Sequence, residues 1–187
     1  SIGDYTIEDL YNQCTDFYSK GSKEYGKCSL LVLGYDHSSQ TADFKSVNYV
    51  MRHKTTKDIY KLTLQDGKTV KTTHDHSAMV IRDGTLIEVK PFEINNTDMF
   101  ICIDDTNKVY NTAIDKVELL GTFDDYVYDV SINDNSHYFF GNDILLHNTD
   151  SVHGSSECIT NYGHKTIEEL FNMGEFFHTG EDDKEYS

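Results

Sequence analysis

The sequence predicts a mostly β domain: a compact, curled sheet of antiparallel hairpins with one or two short helices. Three observations predict it. From Ser29 to Leu146 the chain is a succession of short runs rich in Val, Ile, Tyr, Thr and Phe, separated by only a few residues each. Two of the gaps, Asp66-Gly67 and Asp83-Gly84, are strong hairpin signals, because Gly accepts positive φ and Asp bonds its own backbone. Helical periodicity is confined to two places near the ends.

The first of these is "TIEDLYNQCTDFYSK", where Thr6 and Asp9 form a partial capping box and Ile7, Leu10, Tyr11, Cys14 and Phe17 share one helical face. The runs "SLLVLGYD", "FKSVNYVMRHK", "DIYKLTLQDGKTVKTT" and "SAMVIRDGTLIEV" follow, the last two folded back on themselves at their Asp-Gly pairs. Further strands are expected at "DMFICI", "KVYNT", "DKVELLGTF", "DYVYDVSI" and "HYFFGNDILL". Such density favours a sheet with few free edges. After Asn148 the chain becomes rich in Gly, Ser and Glu, with a second helix at "KTIEELFNM" capped by Thr166 and Glu169.

Length and composition bound the function. The 187 residues suffice for one domain with a core and a short appendage, and the 12% aromatic content with one proline, Pro91, argues against low complexity. The net charge of −16 opposes direct nucleic-acid binding, which needs a basic face, and makes basic partners more natural. Nine acids against two bases fall in residues 149–187. No apolar run reaches the ~20 residues of a membrane span, and "SIGDYTIEDL" has neither part of a signal peptide. Cys14, Cys28, Cys102 and Cys158 are too scattered for a disulfide framework or a zinc site, so reduced thiols, a cytoplasmic setting and no metal or other cofactor are expected.

Four features carry chemistry. Ser1 is a hydroxyl nucleophile at the start of the sequence, and "TTHDH" places Thr73 three residues before His76. "VYDVSINDNSHYFF" sets Asp129 on one strand and His137 at the start of the next, and "LLHN" delivers His147 and Asn148 onto Thr149. Alone, a T-x-x-H pair is an ordinary surface turn, and Asp129 and His137 are a loop acid and a half-exposed histidine. The terminal His-Asn-Thr is more specific, since Asn there has no turn-forming advantage over Gly or Asp. In this order, over residues 1–148, the four features resemble an intein, the self-excising domain of horseshoe-like Hint fold.

The resemblance implies protein splicing, with no cofactor. Ser1 would attack the carbonyl before it, converting an amide to an ester, with Thr73 distorting the peptide and His76 protonating the departing amine. Thr149 would then take over the ester, assisted by Asp129 and His137. Asn148 would cyclise through its side-chain amide, with His147 supporting the developing oxyanion, and so release the chain. Many inteins use cysteine at both nucleophilic positions; Ser1 and Thr149 depart from that. The sequence begins at Ser1 and contains no upstream peptide bond for the first step, so this stretch alone is expected to lose at most its tail.

The flank after Asn148, "TDSV", resembles the second half of the YGDTDS motif of B-family DNA polymerases, making residues 149–157 a short extein. Asp150 would be a metal ligand only in the reconstituted polymerase. There is no space for a homing endonuclease, so the resemblance is to a mini-intein. Residues 158–187 begin at Cys158 and repeat the opening pattern, "TIEDLYN" against "TIEELFN". That tail is either two capped helices alike by chance or the N-terminal fragment of a second intein. In the latter case Cys158 is its nucleophile and its partner a basic C-terminal fragment, as in phage split inteins. Two other classes compete: a hedgehog-type Hint domain limited to cleavage, which has no need of His-Asn-Thr, and a non-catalytic β-rich binding module. A polymerase activity in this chain itself is not expected, since the sequence shows no palm or nucleotide-binding region.

Overall fold

The structure is a computed structural model that describes residues 17–27, 29, 31–134, 136–147, 152–153, 155–161 and 163–172. The strands, in chain order, are β1 (Phe17–Lys20), β2 (Lys23–Gly26), β3 (Leu31–Asp36), β4 (Thr41–Thr55), β5 (Asp58–Leu64), β6 (Thr69–Thr73), β7 (Ala78–Arg82) and β8 (Thr85–Val89). They continue as β9 (Met99–Ile103), β10 (Val109–Thr122), β11 (Asp125–Ile132), β12 (Tyr138–Gly141), β13 (Ile144–His147), β14 (Val152–His153), β15 (Glu157–Thr160) and β16 (Gly163–Thr166). One helix, α1 (Ile167–Asn172), follows.

The pairings among these strands are antiparallel, in the order β1-β2-β4-β11-β14-β6-β5-β10-β9-β7-β13-β12-β3-β15-β16, with β8 on β7. Two long strands hold the two halves of this sheet together. Residues 41–46 of β4 pair with β3, and the rest of the strand pairs with β11. Residues 109–113 of β10 pair with β9, and residues 114–122 pair with β5. Register shifts at Ile114/Lys116 and Leu119/Gly121 mark bulges, which bend a strand and raise its twist.

Both faces of the central strands are covered. Side chains alternate across a strand, and on β9 Phe100 and Cys102 enter one apolar cluster while Ile101 and Ile103 enter another. The same division separates Phe139 from Phe140 on β12, and Ile144 and Leu146 from Leu145 on β13. This is why "MFICI" and "ILL" read as continuous apolar runs rather than alternating ones.

The turns explain where sequence expectation and structure part. Asp83 (φ 51°) and Gly84 (φ 77°) are both left-handed and join Arg82 to Thr85 in a two-residue turn of the kind that matches strand twist. At Asp66-Gly67 only Gly67 is left-handed, and the loop closes more widely through Leu64 N–H to the Lys68 carbonyl, 2.9 Å. The run "HYFFGNDILL", expected as one strand, is two, because Asn142 (φ 51°) and Asp143 (φ 60°) make another such tight turn between Gly141 and Ile144. "KVYNT" and "DKVELLGTF", expected as two strands, are the single bulged β10.

Of the first expected helix, residues 6–16 lie outside the described residues. Phe17–Lys20 is strand β1, turned back onto β2 at Gly21 (φ 64°), so the helical reading does not extend through Phe17. The second helix is present with its capping box: Thr166 N–H donates to Glu169 Oε2 at 2.7 Å, and Glu169 N–H donates to Thr166 Oγ1 at 3.1 Å. The sequence set residues 149–187 apart from the β-domain. In the structure β14, β15 and β16 join the same sheet and α1 packs against it, and Val152, Cys158, Ile167 and Phe171 belong to its main apolar cluster.

Phe139 is fully buried in that cluster. Phe139→Ala is expected to lower unfolding free energy by about 3–5 kcal/mol, read from the shift of the urea midpoint at constant slope.

Candidate active site

Thr73 ends β6, and the turn that follows is fastened from several directions. His76 N–H donates to the Thr73 carbonyl at 3.0 Å, and His74 N–H donates to the Asp58 carbonyl at 2.8 Å. Lys57 Nζ pairs with the Asp75 carboxylate. Lys90 Nζ donates to the Asp75 carbonyl and to Ser77 Oγ, the latter at 3.1 Å. Thr73 and His76 are both buried. Burial alone would raise the Asp75 carboxyl, but the hydrogen bonds from Lys57 and Thr73 hold it below its ordinary value. Neither lysine was legible in the sequence as part of this turn, since each lies more than a dozen residues away and carries no motif of its own.

The β13 strand arrives beside this turn by register. Leu146 pairs with Ala78, so continuing the ladder sets His147 opposite Ser77, next to His76. His147 is half-buried: its ring lies 6.1 Å from the His137 ring and 5.3 Å from the Tyr138 ring, and its Nδ1 is 3.6 Å from Glu88 Oε1. His137, one residue before β12, is exposed and left-handed at φ 57°. The structure thus brings His137 and His147 together, at one end of the β12–β13 hairpin.

Asp129 lies on β11, paired with Met51 of β4, and is buried. Its neighbour Tyr128 pairs with Val152 of β14, and on the other side Val152 pairs with Thr72. Val152 therefore sits between the residue preceding Thr73 and the residue preceding Asp129. Ser1, Asn148, Thr149 and Asp150 lie outside the described residues. The described ends on either side of residues 148–151 are His147, against the 73–77 turn, and Val152, between β6 and β11. The described ends thus border the 73–77 turn, His147 through the Leu146–Ala78 pair and Val152 through Thr72.

Cys158 is not near this border. It pairs with Gly141, at the opposite end of β12 from His137, and is fully buried; burial, with the Glu157 charge adding to it, pushes its thiol up and disfavours the nucleophilic thiolate. Among the described residues no group of three or more His, Cys, Asp or Glu side chains is arranged to hold a metal ion.

A sheet that lays a strand ending in His against a T-x-x-H turn, with a buried aspartate across one short stretch of chain, has the architecture of a Hint-type self-processing domain. Residues 3–148 match the intein splicing domain, and the chain belongs to that family, whose activity is autocatalytic protein splicing. Among relatives, a DNA polymerase of Thermococcus aggregans is 34% identical over 152 residues, which is 80% of this chain and 8% of the polymerase. A DNA polymerase of Methanocaldococcus jannaschii is 28% identical over 111 residues, 55% of this chain and 7% of the relative. The chain therefore spans under a tenth of these relatives. An intein from a hyperthermophile superposes with a TM-score of 0.66 at 20% identity, over 76% of this chain and 88% of that one. The Pab PolII intein does so with 0.61 at 18%, over 76% and 89%. At those identities the likeness establishes the fold alone.

Replacing Lys57 by Met tests what fastens the turn. A carboxyl held low contributes stability that is complete above its unfolded pKa, ~3.9, and is lost as pH falls through the lower folded value. In Lys57→Met the Asp75 carboxyl is expected to titrate at a higher pH than in the wild type when followed by NMR. The stability difference between the two proteins should vanish under strongly acidic conditions.

Proposed function

We propose that the chain excises residues 1–148 and joins its flanks by three acyl transfers. Ser1 Oγ attacks the carbonyl of the residue before it; the amide C–N bond breaks, an ester forms, and His76 supplies the proton to the freed amine while Thr73 holds the peptide out of plane. Thr149 Oγ1 then attacks that ester carbonyl and Ser1 leaves as the alcohol, with Asp129 and His137 handling the protons. The Asn148 side-chain nitrogen attacks its own carbonyl, closing a succinimide and breaking the bond to Thr149, with His147 at the developing oxyanion. The flanks, now joined by an ester, revert to an amide.

The observation that carries this reading is the border just described: His147 reaches the 73–77 turn through the Leu146–Ala78 register, and Val152 lies between Thr72 and Tyr128. Groups held in such a rigid sheet gain from intramolecularity, for which effective molarities reach ~10⁵ M and above. The fold supplies the rate by placement, so weak hydroxyl nucleophiles serve.

The interrupted protein is a DNA polymerase. The Thermococcus aggregans and Methanocaldococcus jannaschii relatives carry that name, and residues 149–157 are the extein that resumes the polymerase at "TDS". Asp150 binds metal there and not in the intein. The flanking extein segments are the partners of the reaction. Residues 158–187 are the N-terminal fragment of a second intein, and their acidity suits a basic complementary fragment.

Placing the domain between two foreign flanks and following products by mass spectrometry tests the scheme. Wild type is expected to give ligated flanks; Ser1→Ala should stop ligation while permitting cleavage after residue 148, and Asn148→Ala should accumulate the branched ester. Ligation that survives Asn148→Ala would refute the scheme.

A further inference from the structure

The apolar seat filled by α1 belongs to the splicing domain, but its occupant does not. Residues 157–172 lie beyond the 3–148 match, yet Ile167 and Phe171 are fully buried in the main cluster. Phe171 packs on Tyr128 of β11, ring centroids 5.8 Å apart, and lies under the Arg52 guanidinium of β4 at 4.4 Å. The β15 strand is laced into the sheet as firmly, through Thr160 to Val32, Cys158 to Gly141, and Asn142 N–H to the Glu157 carbonyl at 2.6 Å.

A second segment of the chain has the credentials for the same seat. "TIEDLYN" at residues 6–12 differs from "TIEELFN" at residues 166–172 only by Asp for Glu and Tyr for Phe. The two buried anchors have counterparts, Ile7 for Ile167 and Tyr11 for Phe171, and the caps correspond, Thr6 and Asp9 for Thr166 and Glu169. Residues 6–12 fall within the family match, so the splicing domain is their own. The chain also enters at the right place. Phe17, where the described chain begins, touches Phe171 at 5.9 Å between ring centroids. The five steps from Asn12 to Phe17 span up to about 18 Å, ample to reach Phe17 from that seat.

We propose that residues 6–12 and 166–172 are alternative occupants of this one seat, so that docking of the downstream segment holds Ser1 out of reaction. The exchange is not a neutral substitution at the nucleophile. Seven residues lie between Cys158 and Thr166 but only four between Ser1 and Thr6, so the spacing that holds the β15–β16 hairpin downstream is three residues longer than its upstream counterpart. Seated, the second intein silences the first, and its own Cys158 stays buried at the same time. This rests on Ser1 being the first nucleophile.

The test uses the full chain behind a foreign upstream flank, with Asn148→Ala and Thr149→Ala so that the Ser1 ester accumulates. Ester is read by hydroxylamine cleavage, and Cys158 exposure by N-ethylmaleimide labelling with peptide mapping. Phe171→Asp is expected to raise both rates, by about tenfold for a modest population shift. Ester formation that is unchanged or slower would overturn the proposal. Should Phe171→Asp fail to fold, the chain ended at Glu157 is expected to form ester faster and to be slowed again by a synthetic peptide of residues 157–172; no slowing overturns the proposal. A peptide of residues 1–16 in excess is expected to speed Cys158 labelling of the full chain, and its Tyr11→Asp version is not. Absence of that acceleration refutes the exchange whatever Ser1 does. Absence of ester in every chain refutes only the assignment of Ser1.

Discussion

Two left-handed residues, Asn142 and Asp143, set the register on which the centre of the molecule depends. They close the β12–β13 hairpin in the shortest possible way. Four residues of that hairpin then meet fixed partners on neighbouring strands: Leu146 on Ala78, Ile144 on Cys102, Phe139 on Gly34, Gly141 on Cys158. Asn142 adds its side chain, donating to the Thr69 carbonyl at 2.7 Å and accepting from Glu157 N–H. A slip of one residue would turn Phe139 and Phe140 to each other's faces and carry His147 away from the 73–77 turn. The tight turn is thus a constraint on chemistry as well as on packing.

Much of the fold was legible because its signals are local. The Asp-Gly pairs, the β-rich runs and the Thr166 capping box each need only neighbouring residues, and each corresponds to a turn, strand or helix end in the structure. Expectation and structure differ where a local signal has two outcomes. Asn142-Asp143 lacks the glycine that announces a tight turn, and "FYSK" continues a helical stripe yet pairs as β1, because β2 offers it a ladder. The insertion of residues 152–172 into the sheet was not legible at all. It depends on Val152 finding Thr72 and Tyr128 and on Phe171 finding Arg52, contacts across most of the chain that no spacing encodes.

The candidate site divides in the same way. Thr73 and His76 were legible as a motif, whereas Lys57 and Lys90, which fasten the same turn at Asp75 and Ser77, are marked by none. His147 was legible from the strand end, but its proximity to His137 is a product of the hairpin. Sequence offered the candidate reacting groups more readily than the groups that hold the turn, because chemistry restricts residue type and support is interchangeable.

The long strands β4 and β10 have a further consequence. Each belongs to both halves of the sheet, so neither half has a complete set of hydrogen-bonding neighbours without the other. Local opening of one half therefore strips ladder bonds from the second, and the two melt as a single cooperative unit rather than as hinged lobes. A sheet built this way has no soft axis along which its two halves can swing apart, so its strands move together as one body.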